Sequence, residues 1–249
     1  MMQGLILAGG RGSRLAAEGV DTPKALVEIA GRPQIVHLIE TFVDLGCASI
    51  VCMVRDDVPT AWEQRIGPRA HAVPITIQPC RTPSSFHTLV EGLALVPPGP
   101  IFCAMVDTVM PVADWRRLYR GVTEQLAAGS LAVLAVTPFV DDERPLYVTR
   151  DAAGLAVEIS DQLAPPPLVT GGVYGLSPAA RHIAATAPAL PRMRAFLRLL
   201  VRRGGPVATV EVARIIDLDH KRDLDAAAAW LATLAAVESA ATARTGADS

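Results

Sequence analysis

Apolar runs and amphipathic stretches alternate along the first half of the chain. Residues 4–8 form a continuous apolar run, the pattern of a strand buried on both faces. Ile35, Leu38, Ile39 and Phe42 then recur at helical spacing. They predict a helix that opens at Pro33, runs to about residue 45 and stops at Gly46. Residues 49–54 predict a second strand, 59–66 a short helix, 73–77 a third strand and 84–95 a helix closed by Pro97-Pro98-Gly99-Pro100. A fourth strand over 101–106 delivers Asp107 at its carboxyl end. This alternation predicts an α/β fold: βαβ units around a mostly parallel sheet, covered on both faces as a Rossmann-like three-layer sandwich. Such sheets bind ligands beyond the carboxyl ends of their strands. The segments after 4–8 and 101–106 therefore converge although nearly a hundred residues separate them.

The second half changes character. Residues 131–137 predict a strand, and 145–149, 155–159 and 168–176 shorter ones with turn signals between them. They predict a smaller mixed or antiparallel lobe. Helices are predicted over 178–187 and 191–203, strands over 207–212 and 214–216, and a closing alanine-rich helix over 223–237. Asp223 and Asp225 suit the amino end of that last helix. Residues 239–249 are small and polar and read as a disordered tail.

Composition narrows the class. The chain has 249 residues, 51% of them apolar, enough for a sizeable core. A net charge of −2 gives no global field to draw nucleic acid or an anionic membrane. No apolar run reaches the roughly 20 residues of a membrane span, and no secretory signal is evident at the start. Cys47, Cys52, Cys80 and Cys103 form no C-x-x-C pair, so neither a zinc site nor a disulfide framework is expected. A reduced, cytoplasmic setting follows as the expectation.

The chemistry concentrates in Leu7-Ala8-Gly9-Gly10-Arg11-Gly12-Ser13-Arg14-Leu15, followed by Pro23-Lys24. Three glycines in four positions let the backbone turn sharply and approach a ligand. Successive N–H groups can then face one anion. Arg14 adds a planar fork for phosphate oxygens and Lys24 a compact charge. The stretch is not a dinucleotide fingerprint, because Leu15 stands where the third glycine belongs. Nor is it a P-loop, because Pro23 precedes Lys24. It resembles the signature of the sugar-nucleotidyltransferase superfamily, L-A-G-G-x-G-[ST]-R-[LM] followed by P-K, which includes NDP-sugar pyrophosphorylase-like and MobA-like NTP transferase domains.

That resemblance implies transfer of a nucleotidyl group from an NTP to a phosphorylated acceptor, a sugar 1-phosphate in the first instance, with Mg²⁺ as cofactor. It implies one domain over 1–238, with a nucleotide-binding half (1–110) and an acceptor half with the closing helix (111–238). Arg14, Lys24 and Asp107 take the catalytic roles. Leu7, Ala8, Gly9, Gly10, Arg11, Gly12, Ser13, Gln78 and Ser84 take nucleotide-binding roles. Gly171-Gly172-Val173-Tyr174 resembles the family's G-G-[IV]-Y strand, so Gly172 and Tyr174 fall on the acceptor side, with Glu158 as the carboxylate for sugar hydroxyls. Asp107 is the first metal ligand. Because Asp107-Thr108-Val109 lacks a second acid, the second ligand comes from Asp217 or Asp219, which share one side of an extended segment.

Alternatives accompany several of these residues. Asp107 also suits a turn before Pro111. Ser84, Asp219 and Asp223 also suit helix N-caps. The lysine that often follows the acceptor-side glutamate is missing, which leaves Arg144, Arg192, Arg194 or Lys221 for the acceptor phosphate. Asp141-Asp142-Glu143 could meet a cationic acceptor or form a solvated turn, and His87 could approach the nucleotide. Rival functions are transfer to an amino alcohol or molybdenum-cofactor-type phosphate, a glycosyltransferase on a related fold, and a non-catalytic nucleotide-binding protein. The apolar helices of the second half could support a homodimer.

Overall fold

A computed structural model describes residues 1–140, 144–162, 165–187 and 190–245. In chain order the strands are β1 (Gln3–Ala8), β2 (Glu28–Ile29), β3 (Arg32–Pro33), β4 (Ile50–Arg55), β5 (Ile75–Cys80), β6 (Ile101–Met105), β7 (Thr108–Val109) and β8 (Ala132–Thr137). There follow β9 (Tyr147–Arg150), β10 (Ala156–Ser160), β11 (Val169–Leu176), β12 (Val207–Glu211) and β13 (Ile216–Asp217). The helices are α1 (Ser13–Ala17), α2 (Gln34–Asp44), α3 (Ser85–Leu93), α4 (Val112–Ala127), α5 (Pro178–Thr186), α6 (Met193–Arg202) and α7 (Lys221–Thr245).

Strands β5, β4, β1 and β6 lie side by side and parallel. This is the α/β core that the alternation of elements predicts. Beyond β6 the direction reverses: β11 runs antiparallel to it and pairs with β8 on one path and β9 on another. β12 closes one path parallel to β8, and β10 closes the other antiparallel to β9. That second lobe is the mixed extension expected from the shorter strands.

Side-chain alternation builds two cores. Along β1, Ile6 and Ala8 face the layer formed with α2 and α4, while Leu5 and Leu7 face the layer formed with α3, α5 and α6. Phe102 and Cys103 of β6 divide in the same way. Phe42 of α2 packs 5.2 Å from Phe102, and both rings are fully buried. Burying a side chain of that size contributes roughly 1.5–3 kcal/mol. A third, smaller cluster joins Ile29, Val109, Ile216, Leu218 and Ala227, and so fixes α7 over the β7–β13 pair.

Several elements depart from the sequence pattern. The helix α4 covers residues that the pattern assigned to no element. It has only three fully buried positions, Trp115, Leu118 and Val122, among many charged ones. Pro33 precedes α2 rather than opening it, because it pairs with Glu28 in the β2–β3 ladder. Residues 59–66 form a 3₁₀ turn, Thr60–Arg65, and the strand expected from residue 214 is confined to Ile216–Asp217. The closing helix begins earlier and runs on to Thr245, so the tail expected to be disordered from residue 239 is helical that far. Its alanines carry a high helix propensity. Residues 141–143, the acidic run considered for a cationic acceptor, and 246–249 lie outside the described residues. No helix among the described residues is long and apolar enough to cross a membrane.

Candidate active site

The carboxyl edge of the parallel strands carries the chemistry. At the end of β1 the chain enters the glycine loop. Gly9 sits against α3, where a Cβ would come 2.9 Å from Thr88 Oγ1 and 3.3 Å from Cys80 Sγ. Gly12 has φ +60°, the left-handed region that glycine occupies without penalty, and its α-carbon faces the Lys24 side chain. Leu7, Gly9, Gly10 and Arg11 line a cleft of about 180 Å³, with Thr82, Ser84 and Met105 on its other walls. Ala8 lies behind the loop in the core, and Ser13 is exposed at the start of α1. Gln78 is on β5, donates to the Pro79 carbonyl and does not line this cleft.

Ser84 precedes α3 in the N-cap position, yet its hydroxyl does not cap the helix. It meets His87 Nδ1 at 2.8 Å. The His87 ring is thereby tied to the cleft wall, which is a structural partner for a histidine also considered for the nucleotide.

A second cleft, of about 330 Å³, adjoins the first through Ser84, Ser85 and Met105. Asp107, Asp217, Gly172 and Tyr174 line it together with Arg144, Arg192 and Arg194. Glu158 is not among its lining residues; it is exposed on β10. Of the four cations considered for the acceptor phosphate, three arginines reach this cleft and Lys221 does not. Arg194 is held by an ion pair with Asp161, which also binds Arg198 at 2.6 Å.

Gly172 marks a slip in the β11–β8 register between Thr170 and Tyr174. Its φ is +43°, and a Cβ there would collide with Thr108 Oγ1 and stand 3.1 Å from Met105 Cβ. A side chain at this position would push β11 away from the segment bearing Asp107. Tyr174 forms part of the cleft floor, and burial raises its hydroxyl well above the usual tyrosine range.

Beside the second cleft, four charged side chains from distant segments, one of them its lining residue Asp107, form one network. Lys24 Nζ donates to Asp107 Oδ2 and to Asp219 Oδ1, each at 2.6 Å. The Arg14 guanidinium bonds the other oxygen of Asp219. Lys24 is only 8% exposed. Burial pushes its ammonium down, but the Asp107 and Asp219 carboxylates outweigh that and hold it well above the usual lysine range. For Asp219, burial pushes the carboxyl up while Lys24 and Arg14 pull it further down, so it stays below the ordinary carboxylate range.

Supporting contacts fix this network. The Gln34 amide donates to the Thr108 carbonyl at 2.9 Å, and the Leu218 N–H donates to the Asp107 carbonyl at 3.0 Å. Asp217 faces Thr108 across the β7–β13 ladder. Buried Asp223 accepts the N–H groups of Asp219 and His220 at 3.0 and 2.6 Å. It is the third residue of α7 rather than the N-cap of its alternative reading, and by reaching back it shapes the turn carrying Asp219. Glu18, at the end of α1, accepts from His220 and from the Lys221 N–H, joining the glycine loop to α7. Gln34 and Glu18 had no motif to single them out. Their roles come from chain crossings that a sequence does not display.

Comparisons with known proteins identify the family and the fold. The model of the MobA-like NTP transferase domain matches residues 4–199. The chain belongs to this family. Over 53 residues the chain is 49% identical to a mannose-1-phosphate guanyltransferase of Pichia angusta, covering 21% of this chain and 15% of that protein. Over 53 residues the chain is 42% identical to a UTP–glucose-1-phosphate uridylyltransferase of Haloferax volcanii, covering 21% of this chain and 22% of the relative. The matched stretch thus spans less than a quarter of either relative. The fold extends further. A Bacillus anthracis protein described as a glucose-1-phosphate thymidylyltransferase superposes with a TM-score of 0.78 at 19% identity, over 93% of this chain and 95% of its own. The inositol-1-phosphate CTP transferase of T. maritima gives 0.71 at 14% identity, over 90% and 91%.

Proposed function

We propose that this NTP transferase domain moves a nucleotidyl group from an NTP to a phosphorylated acceptor, a sugar 1-phosphate, and releases pyrophosphate. The observation that carries the reading is the meeting of two clefts at Ser84, Ser85 and Met105, one floored by the glycine loop and one lined by Asp107 and arginines. An oxygen of the acceptor phosphate attacks the α-phosphorus. The bond from that phosphorus to the oxygen bridging to the β-phosphate breaks, and its electrons leave with pyrophosphate. The acceptor oxygen is already anionic, so no general base is required. Catalysis then rests on alignment and on charge neutralisation.

In this reading the glycine loop binds the phosphates through backbone N–H groups, and Arg14 holds the β- and γ-phosphates. Lys24 reaches the α-phosphate, where negative charge crowds in the transition state. Arg192 and Arg194 hold the acceptor phosphate in the second cleft. Among the described residues no group of three or more His, Cys, Asp or Glu side chains could hold a metal. Asp107 and Asp217 nevertheless line one cleft as a pair of hard oxygen donors. That fits Mg²⁺, which takes one or two carboxylates and completes its shell with phosphate oxygens and water. When bound, Mg²⁺ neutralises phosphate charge and orients the triphosphate. The buried, free cysteines accord with a reduced, cytoplasmic setting.

A second reading, transfer to a non-sugar phosphate, is favoured by one observation: Glu158 stands outside the acceptor cleft. Pyrophosphate release tests both. The assay combines Mg²⁺, each NTP and dTTP, with a panel of sugar 1-phosphates and alcohol phosphates. Release with a sugar 1-phosphate supports the first reading, and release only with an alcohol phosphate supports the second. No release with any pair, in a protein that binds NTP, would overturn both.

A further inference from the structure

Three carboxylates, Asp107, Asp217 and Asp219, lie in or beside the second cleft, one more than a two-ligand metal site requires. Asp107 and Asp217 line the acceptor cleft, whereas Asp219 turns away to the cations. We propose that Asp219 is an internal anion that occupies the phosphate-binding forks of Arg14 and Lys24 and thereby selects the metal-bound form of the nucleotide. The inference rests on the nucleotidyltransferase reading above, in which those two cations serve the triphosphate.

Each oxygen of Asp219 is engaged by a different cation, Oδ1 by Lys24 and Oδ2 by Arg14. The second bond of Lys24 goes to Asp107. Two cations and two carboxylates sum to no net charge. A metal-free polyphosphate therefore meets a neutral cluster whose N–H donors already point at carboxylates. To enter, it must displace Asp219 and then stand beside it, anion against anion. A metal-bound polyphosphate brings positive charge to Asp107 and Asp217. That releases Lys24 from Asp107 and offsets the charge of Asp219.

Displacement is feasible on structural grounds. The Asp219 side chain is 31% exposed, against 17% for Asp107 and 9% for Lys24, so it alone of these three has a ready path to solvent. Its backbone is held separately, because Asp223 accepts its N–H. The turn is therefore expected to keep its shape when the carboxylate moves or is replaced.

The test is calorimetric titration with pyrophosphate and inorganic tripolyphosphate, first with EDTA and then with Mg²⁺. It compares the unaltered protein with Asp219→Asn and Asp219→Ser, each checked for folding by circular dichroism. Both variants should bind the metal-free anions about tenfold more tightly, a change of about 1.4 kcal/mol, and should lose most of the preference for the Mg²⁺ form. Affinity for the metal-free anions equal to or below that of the unaltered protein overturns the proposal. Mg²⁺–NTP binding by the unaltered protein separates the two readings. If it is absent while the variants still gain polyphosphate affinity, the nucleotidyltransferase reading fails and the internal anion stands.

Discussion

The Lys24 ammonium lies 2.6 Å from the Asp107 carboxylate across 83 positions of sequence. One residue ends the phosphate-loop motif and the other follows β6, and the parallel pairing of β1 with β6 brings both to the same sheet edge. The pair links the glycine-loop segment to the arginine-lined cleft.

Asp107→Asn should reduce turnover by at least a thousandfold while leaving circular dichroism unchanged. The substitution keeps the shape of the side chain but removes a metal ligand and a partner of Lys24. Pyrophosphate release at saturating Mg²⁺ checks it, and near-normal turnover would remove Asp107 from the metal site.

Lys24→Met should lower kcat far more than it raises KM for the nucleotide, because the ammonium acts on charge that is greatest in the transition state. A rise confined to KM would assign Lys24 to ground-state binding alone.

Lys24 and Asp219 make a stability prediction with a defined pH window. Lys24 is held above its unfolded value, so its contribution is complete below about pH 10 and is lost as pH rises through the folded value. Asp219 is held below its unfolded value, so its contribution is complete above about pH 4 and is lost as pH falls through the folded value. Urea unfolding at a series of pH values should therefore show a Lys24→Met stability difference that is flat between about pH 5 and 9 and shrinks at both extremes.

Asp223→Ala should destabilise the fold by about 1–3 kcal/mol, because the N–H groups of Asp219 and His220 lose their buried acceptor. Asp223→Asn keeps one carbonyl oxygen and should recover much of the loss. Denaturant midpoints for the two variants measure the difference. A positioning role adds a weaker Mg²⁺ dependence of turnover, which a purely structural cap would not change.

Arg192→Ala should raise KM for the acceptor about tenfold and leave KM for the nucleotide within twofold, because Arg192 lines only the second cleft. Steady-state kinetics with each substrate varied in turn separates the two constants. Equal effects on both would place the anion contact elsewhere.

Much of the fold is legible in the chain because strands buried on both faces need continuous apolar runs. The runs at residues 4–8 and 101–106 mark two neighbouring strands of the parallel core. Helix α4 was less legible because only a narrow stripe of it, Trp115, Leu118 and Val122, is buried among many charged residues. Within the site, the glycines and cations of the phosphate loop are readable because a backbone cradle must be local. The acceptor side is less so. Glu158 fits a motif, but its edge-strand position keeps it out of the cleft, while arginines from the start of α6 and the segment before β9 line it instead.

The sequence by itself determined the α/β class, the glycine loop with its two cations, and the set of carboxylates that could accompany it. These depend on local rules: side-chain periodicity, glycine conformations and the charge of a residue type. Only the tertiary structure decided how those carboxylates divide. The β7–β13 ladder sets Asp217 opposite Thr108 beside Asp107, while the turn held by Asp223 presents Asp219 to Arg14 and Lys24. Two residues apart in the chain, Asp217 and Asp219 were equivalent by spacing. They differ because long-range pairing fixes the direction each one faces, and that direction decides whether a carboxylate meets a substrate cleft or a pair of cations.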